Sequence, residues 1–199
     1  LGLLGTEALA EGPIKREKRS SLLINYRYST AVIFSALGID IGTSAVPKYQ
    51  DGSFKLFTPT KGGGSLSLWG IGGNSSVDIM ISDQLSPERN IYGDNDRDQY
   101  FRTGVGMMGL THTQPLNTKT YIKSTLALSR DRQNSNHDYV SRDLLIQDGD
   151  TTYTNLNISP LMTYQFVKDR FALAVHANHK LSPENGTATL RCGLNADAM

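Results

Sequence analysis

The chain carries a single cysteine, Cys192, so no internal disulfide can staple it. The simplest reading of that residue is a small apolar side chain in a strand. Long apolar runs are also missing. The longest nearly uninterrupted stretch, AVIFSALGI at 31–39, falls far short of the roughly 20 residues a spanning helix needs. This excludes a transmembrane helix but not a transmembrane strand, which needs only about 9–11 residues, half of them free to be polar. No charge of one sign dominates: 20 Lys and Arg stand against 19 Asp and Glu, a formal net charge of +1, which argues against a nucleic-acid partner. There is no initiating Met, no basic n-region followed by an apolar h-region, and no composition shift along the chain. The expectation is one domain over 1–199, cut from something longer.

What is present is alternation. Gly is frequent, at 19 residues, and clusters with Ser, Thr and Asn between period-two apolar patterns, which suits strands and turns better than helices. The pattern predicts about eight strands, at 1–11, 19–29, 50–58, 64–74, 99–112, 118–131, 165–181 and 187–199, most of them longer than the usual soluble strand of about 5–6 residues. Four connections are short and carry turn residues: GPIKREK (12–18), PTKGG (59–63), TQPLN (113–117) and SPENG (182–186). Three are expected to be long, at 30–49, 75–98 and 132–164. Strict alternation of short and long connections is the signature of an up-and-down antiparallel barrel with its tight turns on one side of a membrane.

Side-chain parity points the same way. In SSLLINYRYST (20–30), Leu22, Ile24, Tyr26 and Tyr28 share one side, and Asn25 and Arg27 the other. The expected arrangement puts the first set against lipid and the second in a lumen. Leu126 and Leu128, Phe171, Leu173 and Val175, and Leu190, Cys192 and Leu194 form similar apolar faces. Strands 64–74 and 99–112 are mixed, and their parity stays open. Arg27, Asn25 and Arg191 are the candidate ligand-contacting residues, Trp69, Tyr26, Tyr28, Tyr100 and Tyr121 the candidate interfacial aromatics, with Tyr28 and Tyr100 preferred.

Motifs with catalytic or metal chemistry are weak. GDNDRD (93–98) offers Asp94, Asp96 and Asp98 as candidate Ca²⁺ ligands, yet lacks the downstream Glu of an EF-hand loop, and a solvated acidic tip is the simpler reading. His176 and His179 would fall on opposite faces of a strand, and His112 and His137 have no evident partner. KGGGS (61–65) lacks the Gly-Lys-Ser/Thr end of a phosphate loop and reads as a hairpin, NGT (185–187) as turn chemistry, and the basic cluster Lys15, Arg16, Lys18 and Arg19 as a solvated turn. No nucleophile arrangement is visible, so an enzyme is not expected, nor any cofactor.

NYRYST (25–30), GIDIGTSAVPKYQDGSFKLFTPT (38–60), SLSLWGIGGNSSVD (65–78) and IYGDNDRDQYFRTGVGMMGLTHT (91–113) resemble the first barrel strands of bacterial TonB-dependent outer-membrane receptors, in the version with a carboxypeptidase-like regulatory domain. The resemblance extends over nearly the whole chain. It implies an all-β fold, a partial transmembrane β-barrel of about eight antiparallel up-and-down strands forming an open curved sheet by itself. It also implies the bacterial outer membrane as location and active import of a nutrient (siderophore, glycan or peptide) as function. The partners implied are outer-membrane lipid, the missing plug and remaining barrel strands, and periplasmic TonB acting through an N-terminal box. Neither plug nor box is present in the sequence. The alternatives are a complete eight-stranded barrel with a structural or adhesion role, and a soluble β-sandwich binding module.

Overall fold

The computed structural model describes residues 5–15, 17, 19–29, 47–84, 94–147, 150–181 and 188–199. The protein is all-β. Eight strands, β1 (Gly5–Lys15), β2 (Ser20–Ser29), β3 (Lys48–Pro59), β4 (Ser65–Ile79), β5 (Arg97–Pro115), β6 (Thr120–Gln147), β7 (Asp150–Leu181) and β8 (Ala188–Ala198), form one antiparallel sheet in the order of the sequence. Every neighbour in the sheet is a neighbour in the chain. The sheet is open, with β1 and β8 as its edges. Connections therefore alternate between a turn end (β1–β2, β3–β4, β5–β6, β7–β8) and a loop end (β2–β3, β4–β5, β6–β7).

Turn chemistry explains the tight connections. Between β3 and β4, Gly62 and Gly63 adopt φ of 81° and 77°, the left-handed region open to glycine, and the Thr60 N–H donates to the Gly64 carbonyl at 2.9 Å. Between β5 and β6 the Asn117 side chain accepts from the Lys119 N–H at 2.9 Å while the Leu116 N–H donates to Thr120. This turn lies slightly later than TQPLN suggests, because Pro115 still faces Tyr121 as the last residue of β5, where a missing N–H costs no ladder bond. SPENG lies outside the described residues.

Register sorts the side chains into two faces. Leu22, Leu56, Leu68, Leu110, Leu126 and Leu173 stand directly opposite one another on β2 to β7 and make one transverse row of leucines. The adjacent row on the same face is Ile24, Phe54, Gly70, Met108, Leu128 and Phe171. The opposite face carries Arg27, Asp51, Asp131 and Lys168 in one row and Ser21, Ser67, Thr111 and Thr125 among its others. We call these the leucine face and the polar face. Register also settles the mixed strands: Leu66 and Leu68 lie on the leucine face, Trp69 and Ile71 on the polar one.

A single sheet has no second layer to bury a face against. Among the described residues the buried apolar side chains are Ile79, Ile81 and Val140, all at the loop end. The leucine face is open, with Leu128 54% exposed and Phe171 42%. The polar face is the more enclosed of the two through the lower half of β6 and β7, where Ala127, Ser129, Asp131, Ala172, Ala174 and His176 are half-buried. A water-soluble sheet has the reverse arrangement.

One expectation fails. Residues 132–164 are not a long loop: β6 and β7 run through them as a paired hairpin, from Arg132 opposite Val167 to Gln147 opposite Asp150, with bulges at 137/138 and 141/143. The segment RDRQNSNHD is polar on both faces, so it carries no apolar period, but backbone pairing requires none. The 75–98 connection is shortened by extension of β4 to Ile79 and of β5 back to Arg97, and the 30–49 connection only by the start of β3 at Lys48. Residues 30–46 and 85–93 lie outside the described residues.

Aromatic rings cover glycines across strand pairs, as in Trp69 opposite Gly109 and Phe54 opposite Gly70. A Cβ at Gly109 would sit 2.3 Å from the Trp69 ring. Gly109→Val is therefore expected to destabilise by about 1–3 kcal/mol and to displace the indole. Since Trp69 is the sole tryptophan, its fluorescence during urea unfolding reads both effects.

Candidate functional site

The polar face holds the three candidate ligand-contacting residues, but not together. Arg27 on β2 faces Asp51 on β3, and its guanidinium bonds that carboxylate at 2.8 and 2.9 Å while lying 5.2 Å above the Tyr49 ring. The Asn25 amide donates to Glu7 on β1. Arg191 belongs to β8 at the turn end, opposite Asn178, far across the sheet. The first two form a cross-strand polar ladder of β1 to β3, and Arg191 takes no part in it. The Arg27–Asp51 pair is about half exposed, so Arg27→Gln is expected to cost under about 1 kcal/mol in the same urea titration. Further along the face the Trp69 N–H donates to Thr111 at 3.1 Å, and Thr111 bonds Thr125 at 3.2 Å.

The aromatic candidates divide between the two faces. Tyr26, Tyr28 and Tyr100 share the leucine face, whereas Trp69 and Tyr121 lie on the polar face. Tyr26 donates to Gln50 at 2.8 Å, presenting an apolar ring with a satisfied hydroxyl.

The loop end is held by a carboxylate. Asp98 is fully buried and accepts from the Ile81 N–H at 2.7 Å, the Ser82 N–H at 2.9 Å and the Ser82 hydroxyl at 2.6 Å. Arg142 of β6 takes the carbonyls of the same turn, Ile81 at 2.6 Å, Ser82 at 3.1 Å and Gln84 at 2.7 Å. The Val140 N–H donates to the Asp96 carbonyl at 2.9 Å. Residues 81–84 and 94–98 are thus fastened to β6 above the small apolar cluster of Ile79, Ile81 and Val140.

The candidate Ca²⁺ ligands are separated by this arrangement. Asp94 and Asp96 pair with Arg97 at 3.3 and 2.8 Å, and the Arg97 hydrogen bond holds the Asp96 carboxyl below the usual carboxylate range. Asp98 points to the 81–82 turn instead. Among the described residues no group of three His, Cys, Asp or Glu side chains is placed to hold a metal ion.

The histidines divide as their spacing requires. His176 faces Lys123 and Gly193 on the polar face, and His179 bonds Thr120 at 2.8 Å on the other. His137 has the partners that its sequence context did not reveal: edge-on contacts with Phe101 at 5.8 Å and Tyr164 at 6.5 Å, and hydrogen bonds to Ser135 at 2.8 Å and Gln99 at 3.4 Å. These residues meet only because 132–164 is strand. The resulting aromatic cluster stands on the polar face at the loop end.

Comparison with protein-family models, curated proteins and solved structures finds no match. The functional reading rests on the geometry and on the resemblance of the strand motifs.

Proposed function

We propose that the chain is a section of the β-barrel of a TonB-dependent outer-membrane receptor, working in active import of a nutrient such as a siderophore, glycan or peptide. The observation that carries the reading is the inverted distribution of the two faces in the lower half of β6 and β7: Leu126, Leu128, Phe171, Leu173 and Val175 on the open side, and Ala127, Ser129, Asp131, Ala172, Ala174 and His176 on the more enclosed one. Lipid outside and a wet lumen inside account for both. No helix among the described residues is long and apolar enough to cross a membrane.

The free edges at β1 and β8 favour a section of a larger barrel over a complete eight-stranded one, which would need those two strands paired. A β-sandwich would need a second sheet over Leu22, Ile24, Tyr26 and Tyr28, and the described strands all belong to one. In this reading the upper polar face and loop end meet cargo, and a plug and TonB complete the machine. Uptake of candidate nutrients by cells with and without the gene, each with the proton gradient intact or collapsed, tests the transport claim. Gradient-dependent uptake that requires the gene is expected. Uptake unaffected by deletion across siderophore, glycan and peptide cargoes would count against it.

A further inference from the structure

Beyond the apolar band, the leucine face carries a cavity of about 590 Å³ whose charged lining is entirely cationic: Lys48, Arg102 and Arg132, joined by amides including Asn74 and Asn134. Register places these side chains in two consecutive rows on β3 to β6, Asn74 and Arg132 in one, Lys48, Arg102 and Asn134 in the next. Arg102 pairs with Asp78, one row further toward the loop end. Lys48 and Arg132 have no carboxylate partner among the described residues. The Asn134 side-chain oxygen is buried without a hydrogen-bond partner.

On the same face, one row closer to the leucines, Gly52, Gly72 and Gly106 stand opposite one another on β3 to β5. Three adjacent strands without side chains floor a trough of about 810 Å³ walled by Phe54, Met108, Leu128 and Phe171, and the same row continues on β6 and β7 as the exposed Arg130–Asp169 ion pair, which closes one end of the trough with its charges satisfied by each other. A cationic cavity thus adjoins an apolar trough along the strands, in the order in which a lipid presents a phosphate and then an acyl chain.

We propose that this is a lipid-binding site, taking the phosphate of an anionic lipid in the leaflet at the loop end, with an acyl chain along the glycine trough. The site rests on the outer-membrane reading. A soluble anion would use the cavity alone and has no use for the trough.

The test uses the full-length membrane-inserted protein in a neutral detergent, with retained lipid counted by native mass spectrometry. Phosphatidic acid is the probe, phosphatidylcholine the reference and inorganic phosphate the competitor. The expected result is that phosphatidic acid is retained about tenfold or more over phosphatidylcholine. Lys48→Gln with Arg132→Gln abolishes that preference, Gly72→Leu weakens retention with the charges intact, and Lys168→Gln on the polar face changes nothing. Equal retention by the double variant, or displacement of the lipid by millimolar inorganic phosphate, overturns the lipid site. Insertion that succeeds while the preference is absent overturns the site alone. Failure to insert into vesicles at all overturns the membrane reading and the site with it.

Discussion

Leu128→Arg is expected to weaken insertion into phospholipid vesicles by about 2–4 kcal/mol, whereas Ser129→Arg, one residue along, is expected to cost less than about 1 kcal/mol. Leu128 stands on the leucine face between Met108 and Phe171, in the row next to the six leucines. If this face meets lipid, as proposed, an arginine there must be carried into hydrocarbon or drag water with it. Ser129 stands on the other face, beside Arg170 and Met107, where the guanidinium would enter a polar, wet space. Urea titration of the folded protein in vesicles measures both. The sandwich alternative predicts loss at Leu128 too, but on transfer to a protein core, so its loss would appear equally without lipid.

The second large effect is expected at Asp98. Its carboxylate is the acceptor for two backbone N–H groups and a hydroxyl, and it is completely buried. Asp98→Ala leaves those donors without a partner, and leaves Arg142 holding only the carbonyl side of the turn. A loss of about 3–5 kcal/mol is the usual scale for breaking such a buried charged set. Because the contacts fasten the 81–84 turn rather than the sheet, the loss should be local: rapid amide exchange and proteolytic nicking between β4 and β5, with the strand signal of β6 and β7 retained. Uniform loss of protection across the sheet would show that the loop-end cluster is instead part of the folding core.

Much of this was legible in the sequence, for a physical reason. Period-two alternation is produced by the same pleat that makes two faces, so Leu22 to Tyr28, Leu126 with Leu128, and Phe171 to Val175 announce both strand and side. Two kinds of information are absent from such patterns. Glycine erases a face, as Gly70, Gly72, Gly104 and Gly106 do on the leucine side of β4 and β5, and only the partner strand shows where Trp69 and Ile71 belong. Polar strands have no period at all, so the upper halves of β6 and β7 read as loop and their aromatic cluster around His137 went unseen. Asp94, Asp96 and Asp98 illustrate the opposite error. Regular spacing suggests a common target, but the first two lie before β5 begins at Arg97 and the third within it, so spacing does not bring them to one point.

The central claim is that the open leucine face meets lipid while the enclosed face meets water. Spin labels placed singly at 126, 127, 128 and 129, in a Cys192→Ser background and in vesicles, test it most directly through collision with oxygen and with a water-soluble nickel chelate. The account predicts a period of two, with oxygen dominant at 126 and 128 and nickel dominant at 127 and 129. Equal nickel access at all four positions, or the opposite phase, would contradict it.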